Sequence, residues 1–352
     1  MFMTRLFSFL KAGVASLCLA FVFASCATAG AATVPVVTRA IEPGWVTGGP
    51  HERFSGLVYL TAVGSGDSRQ AAEMDAFRQL VSTFGVTVQA DIRLAEVYRR
   101  TGAVATHDVA FGQEIILGTG MDNLIGAEIG DRWEGAGRGN SFALAVLNRE
   151  RATQIYSDMI RANLETIDSL TNMSPAERNT FSGFSRYQVA AVFADMNANY
   201  AAVLSVVGTP VQGLRSGDDF RRGAQEIAAA IPVGINVSND RAGRIQSAFA
   251  RTFSDLGFRT GGANQRYMLD VNLVILPTDH AGQMVFSRME LSANLIDTNT
   301  GAVLLPFSFN VREGHRTQSE AENRVFIAAE QRIDREYGDM LSDYLSQLIP
   351  GR

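Results

Sequence analysis

Residues 285–311 read VFSRMELSANLIDTNTGAVLLPFSFNV, and this stretch decides the fold. Val285, Met289, Leu291, Ala293 and Leu295 share one parity, and beyond a break Val303, Leu305, Phe307, Phe309 and Val311 do the same. Alternation of apolar and polar residues marks a strand buried on one face only. The break, Asp297-Thr298-Asn299-Thr300-Gly301, is a hairpin turn, so the two strands lie side by side and antiparallel. Pro306 has no N–H to give to a neighbour, which puts the second strand at an edge or a bulge. Upstream, Tyr267, Leu269, Val271, Leu273 and Ile275 repeat the pattern and add a third strand.

Helical signals flank these strands. A helix near 217–230 leads into a short strand, Pro232 to Val237. Asn239 and Asp240 open a helix with Ile245, Ala248, Phe249, Phe253 and Leu256 inward, and Gly257 closes it. Thr317 to Glu320 reads as a capping box, and the long final helix carries Ile327, Ile333, Tyr337, Leu341, Tyr344 and Leu348. Together these elements make an α/β domain over 208–352.

A second such domain is expected over 43–148. Leu57 to Val63 reads as a buried strand, and Gly64-Ser65-Gly66 as the tight turn after it. Asp67 or Ser68 caps a helix whose face is Phe77, Leu80, Val81 and Phe84, ending at Gly85. Alternation from Val86 to Leu94 gives a further strand, and two more fall near 124–133 and 141–148, joined by a turn at Gly135 to Gly139. Between the domains, Ile155, Met159, Ala162 and Ile167 keep helical spacing. Ser174-Pro175-Ala176-Glu177 then starts a second helix carrying Tyr187, Ala191, Met196, Tyr200, Val203 and Val207. The expected class is therefore α+β: two small α/β domains with mainly antiparallel sheets, joined by a helical hairpin over 149–207. The hairpin packs on the domains by default, with a free docking arm as the other possibility.

Composition bounds the function. The chain has 352 residues, 46% hydrophobic and 19% charged, an ordinary globular balance that excludes a disordered chain and a polytopic membrane protein. The net charge is −5 with no basic tract, so nucleic acid is not an expected partner.

The amino terminus sets the compartment. Arg5 and Lys11 precede an apolar run from Ala12 to Ala24, the form of a secretory signal peptide over 1–25. Phe23-Ala24-Ser25-Cys26 resembles a lipobox, which makes Cys26 the lipid attachment site and the first mature residue. Ordinary cleavage after Ala27-Thr28-Ala29 is the other reading. Either cut removes Cys18, so no intramolecular disulfide can form. Cutting before Cys26 removes two positive charges and takes the net charge from −5 to −7. Residues 26–42 are then a tether, and two or three acyl chains hold it stably in a membrane. Lys11 is the only lysine, so no mature lysine can serve as a base or Schiff-base nucleophile.

No catalytic, cofactor or metal residues are assigned. Gly64-Ser65-Gly66 lacks the remaining residues of a dinucleotide site or a P-loop. His51, His107, His280 and His315 have no second histidine or cysteine at ligand spacing. Asp218-Asp219 and Glu320 with Glu322 sit at helix starts, where negative charge suits the dipole. Trp45 and Trp133 read as core or rim packing, with Trp45 near enough to the tether to face a partner.

Several motifs carry a resemblance. Pro43-Gly44-Trp45-Val46, Ala62-Val63-Gly64-Ser65-Gly66, Ala72 and Ala76, then Trp133 and Phe142 to Arg149 make the first domain similar to the twenty-kilodalton Lpp family of bacterial lipoproteins. That family shares its domain with the amino-terminal part of the flagellar assembly protein FlgT. A long insertion-like stretch around 95–122 departs from the pattern. The second domain, in its Leu256-Gly257-Phe258 helix end and Asp297 to Gly301 hairpin, resembles the TolB amino-terminal and CsgG-type domains. The resemblance implies non-enzymatic envelope proteins and brings no catalytic residues. The expectation is a lipoprotein of the bacterial cell envelope, in the outer membrane. It is held by its lipid and scaffolds or binds an envelope protein in envelope or flagellar assembly. A periplasmic small-ligand or glycan-binding protein is the alternative.

Overall fold

The computed structural model describes residues 42–84, 124–135, 141–262, 265–281 and 283–349, with the side chains of 277–280 left aside. The signal peptide, Cys26, the tether up to residue 41, Gly85, the strand expected at 86–94, the 95–122 stretch, His107 and residues 136–140 of the expected turn lie outside these residues. The described fold is α+β, with two sheets and a helical hairpin.

The first sheet has the order β1-β3-β2, antiparallel throughout: β1 is Tyr59–Gly66, β2 Ala127–Glu134 and β3 Ser141–Asn148. Helix α1 (Arg69–Ser82) packs on one face, capped by Ser68, whose hydroxyl accepts the Ala71 N–H. Gly64-Ser65-Gly66 is not a turn. It is the end of β1, paired to Ala143, Phe142 and Ser141. The reason is close packing: a Cβ on Gly64 would overlap the Ala76 backbone, and one on Gly66 would lie 2.6 Å from the Ala71 Cβ. The small residues Ala72 and Ala76, with Leu80, therefore form the buried face of α1, while Phe77 and Val81 are only half-buried. Leu57 is 90% exposed instead of buried, because the Ser55 carbonyl accepts both the Val58 and Tyr59 N–H groups in a tight turn before the strand.

The hairpin is α2 (Arg149–Thr171) against α4 (Phe181–Val207). Ser174 and Glu177 form the capping box, but it starts only one turn, α3 (Pro175–Arg178). The chain breaks at Asn179 and restarts at Thr180, whose hydroxyl accepts the Gly183 N–H. Helix α4 is long and apolar enough by composition to cross a membrane. Here it is a core element: Phe181 and Phe184 join the core under the second sheet, and Val203, Leu204 and Val207 join the core under the first.

The second sheet follows α5 (Gly217–Ala230). It comprises β4 (Pro232–Ser238), β5 (Arg259–Thr260), β6 (Tyr267–Ala281), β7 (Met284–Asp297) and β8 (Ala302–His315), in the order β5-β4-β6-β7-β8. β4 runs parallel to β5 and β6, and β6, β7 and β8 are antiparallel. β8 is the edge strand that Pro306 requires. Helix α6 (Arg244–Asp255) follows β4 and buries Ile245, Ala248, Phe249 and Phe253. Its cap position is Gly243, while the Asp240 carboxylate accepts the N–H groups of Arg244 and Gln246 at 3.1 and 2.9 Å.

Two expected inward residues face out. Leu295 pairs with Leu305 but Ile296 with Val303, so Leu304 is an extra residue that flips the parity and exposes Val303. Ile275 lies past Asn272, the last residue paired to β4, and is also exposed.

Helix α7 (Gln318–Arg332), a π turn (Ile333–Tyr337) and α8 (Gly338–Gln347) close the chain. Thr317 makes no side-chain cap bond; its N–H and hydroxyl instead lie 3.4 Å from Nδ1 of His315. The buried residues are Ala321, Val325, Ala329, Ile333, Tyr337, Leu341 and Leu345, four apart throughout, and Ile327 is exposed. A four-residue repeat drifts by about 40° per step on an α-helix. The π turn has more residues per turn and removes part of that drift.

Candidate functional site

The chemistry-bearing side chains gather on the face of the first sheet opposite α1. β3 is buried on both faces: Ala143, Ala145 and Leu147 point to the helices, Leu144 and Val146 the other way. Residues 43–58 lie over Leu144 and Val146 as a strap. Trp45 packs there at 4% exposure, on a short 3-10 turn (Gly44–Thr47). Phe54 lies against Gly130, where a Cβ would stand 2.6 Å from the ring. A register shift between Ile129 and Asp131 sits at the same place. Among the described residues the strap up to Leu57 makes backbone hydrogen bonds only within itself or to Val58 and Tyr59.

His51 fastens the strap. Its Nδ1 accepts the Arg53 N–H at 3.0 Å, which leaves Nε2 as the protonated nitrogen of the neutral ring. Nε2 lies 3.0 Å from Oδ2 of Asp131. The hydrogen bond from His51 holds the Asp131 carboxyl below its ordinary value, against the opposing effect of partial burial, with the Arg132 N–H adding to it. The rings of Phe54 and Trp45 stand 4.8 and 6.2 Å from the imidazole. Trp133 is half-buried against Phe142, at 5.6 Å between rings, and its Nε1 is buried without a hydrogen-bond partner. Histidine, carboxylate and indoles thus form a clip, with the Tyr59 ring 5.1 Å from that of Phe54 at its edge.

The other expected residues are spread out. His315 is half-buried, bonded within its own turn, and the side chain of His280 is outside the described set. Asp219 forms a capping box with Ser216, whose hydroxyl and N–H lower its pKa, and Asp218 pairs with Arg221. Glu320 pairs with Arg324, and Glu322 accepts from Gln318. No group of three or more potential metal ligands occurs among the described residues. A depression of about 230 Å³ lies between β4, β5 and α6, lined by Asn236, Gln246, Thr260, Gln265 and Met268 among others. That is below the roughly 300–1,000 Å³ of ligand pockets. The sequence reading missed the pairing of His51 with Asp131, which are 80 positions apart with no local motif joining them.

No family model matches the chain, so the resemblance to the Lpp and FlgT domains has no such match behind it. No curated protein matches it either. Solved structures similar to it include a secreted protein of Helicobacter pylori, at 14% identity and a TM-score of 0.40, over 78% of this chain and 97% of that one. A minor lipoprotein of Acinetobacter baumannii is similar at 10% identity and a TM-score of 0.25, over 33% of this chain and 90% of that one. A lipoprotein of Neisseria meningitidis is similar at 13% identity and a TM-score of 0.21, over 29% of this chain and 96% of that one.

Proposed function

We propose that the chain is a non-enzymatic lipoprotein of the bacterial cell envelope, anchored through Cys26 and acting as a scaffold or protein-binding module. The observation that carries this reading is the leader: Arg5 and Lys11, an apolar run, then Phe23-Ala24-Ser25-Cys26. In this reading residues 26–42 are the tether between the lipid and the rest of the chain. The form of the second sheet agrees with a docking role. Its face away from the helices is broad and polar, with Asp270, Asn272, Ser292, Asn294, Ser308 and Asn310 exposed in adjacent rows. Such a face suits a large partner better than a small ligand, which needs a concave site.

The test is photo-cross-linking in cells, with a photoreactive residue at Asn294 or Ser308 on that face. A membrane-bound chain joined to one defined envelope protein supports the reading. A chain found wholly in the soluble fraction, joined to nothing, overturns it.

A further inference from the structure

We propose that the uncovered edge of β4 takes up an extended, uncharged peptide segment of a protein partner as an added strand, with one of its side chains in the recess beside that edge. This edge is not the polar face, and what it binds does not depend on the lipid anchor. β5 has two residues and pairs only with Pro232 and Val233, while β4 runs on to Ser238. The Val233 carbonyl accepts the Gly261 N–H at 2.9 Å, so the backbone groups of Val233 point away from β6. Backbone direction repeats every second residue along a strand. Ile235 and Val237 therefore turn their N–H and C=O groups to the same side, while β6 pairs along the other. Among the described residues no backbone group bonds to this edge past Val233. The Ile235 carbonyl meets one side-chain donor, Nε2 of Gln246, at a long 3.4 Å.

The open edge is also unguarded. Proteins blunt strand edges with proline, charge, a bulge or extreme shortness, because unpaired N–H and C=O groups are a template for another strand. In the second sheet the two outer strands are blunted in this way: β8 carries Pro306 and β5 has two residues. Gly234-Ile235-Asn236-Val237 has no proline, no charge and no register shift.

The recess of about 230 Å³ lies along this same edge, with Gln246 and Ala250 of α6 on one side of the sheet and Gln265 and Met268 on the other. It is small for a free ligand but open to one side chain of a strand laid along β4. Strand addition combines these two parts: main-chain hydrogen bonds give affinity, and a pocket for alternate side chains gives specificity. The polar groups around the recess are the amides of Asn236, Gln246 and Gln265 and the Thr260 hydroxyl, and no charged side chain lines it among the described residues. Amides donate and accept as a peptide group does. Both the edge and its walls therefore complement uncharged, extended backbone.

The test pans a phage-displayed library of random linear peptides on residues 27–352, which keep the whole compact unit from Ile41 to Arg352. Peptides are expected whose affinity falls about tenfold or more when N-methyl groups block alternate amides, and holds when they block the amides between. Their binding should slow hydrogen exchange at the Ile235 and Val237 amides, which exchange fast in the free protein. Val237→Pro removes one edge N–H without touching the bonds to β6, and should weaken binding about tenfold. Ala250→Leu fills the recess, leaves β4 intact and should weaken binding likewise, which keeps the test if the proline variant does not fold. No bound peptide, or peptides indifferent to N-methylation at every amide, overturns the proposal. So do peptides that bind without slowing exchange at Ile235 and Val237. Slow exchange there in the free protein that grows with its concentration also overturns it, because the edge is then taken by a second copy. None of these results changes the cross-linking expected at Asn294 or Ser308, so the two readings fail separately.

Discussion

Nε2 of His51 and Oδ2 of Asp131 meet at 3.0 Å, joining the strap over residues 43–58 to the second strand of the first sheet. Asp131 is half-exposed and His51 nearly buried, so the pair is a clip at the rim of an aromatic cluster rather than a buried ion pair.

The clip has a pH dependence with a defined sign. The folded pKa of Asp131 is depressed, so its contribution is present above the unfolded value and lost as pH falls through the folded one. Stability of the strap should therefore fall below the ordinary value of 3.8. Asp131→Asn keeps an acceptor for the His51 N–H and removes the charge, so it should flatten this acid limb at a cost under about 1 kcal/mol. Both tryptophans lie in this cluster, Trp45 in the strap and Trp133 on the sheet beneath it, so an acid titration of tryptophan emission reads the seating of the strap on the sheet.

Gly64→Ala should destabilise the protein by about 3 kcal/mol, an overpacking cost that a well-filled interface cannot relax. The added methyl meets the backbone of α1 at Ala76, and backbone cannot move aside as a side-chain tip can. Urea denaturation checks this, with Ser65→Ala, on an exposed neighbour, as the near-neutral control.

Tyr337 should tolerate or favour loss of its hydroxyl. The ring is fully buried among Phe249, Phe253 and Phe307, and its oxygen has no hydrogen-bond partner. An unmade buried hydrogen bond costs about 1–3 kcal/mol. Tyr337→Phe should thus leave the melting temperature unchanged or raise it. A clear fall would mean that a water or another group satisfies the hydroxyl.

Asn163 and Asn197 are buried in the hairpin and share one hydrogen bond of 2.8 Å. Asn163→Ala should cost about 1–3 kcal/mol, because it strands a buried amide. Replacing both by leucine should cost less than the single change, a non-additivity that a double-mutant cycle measures.

Much of this fold was legible because its signals are local. The alternation in 285–311, the turn at Asp297 to Gly301 and the Ser174–Glu177 box each need only a few neighbouring residues, and each is present. The failures share a different cause. Gly64 to Gly66 reads as a turn until α1 is seen to press on the strand, and Val303 reads as buried until the extra residue at Leu304 is seen. Ile327, two residues from both Val325 and Ala329, simply lies on the helix face opposite them, whereas the first two depend on a neighbour outside the strand's own pattern. The same holds for the site: histidine and carboxylate were visible singly, but their meeting is a property of the folded sheet.

The central claim is the anchor at Cys26, and its most direct test is the intact mass of the mature protein taken from membranes, with Cys26→Ser as control. The account predicts a chain that begins at Cys26 and carries a diacylglycerol, absent from the control. An unmodified chain beginning near Gly30 would contradict it.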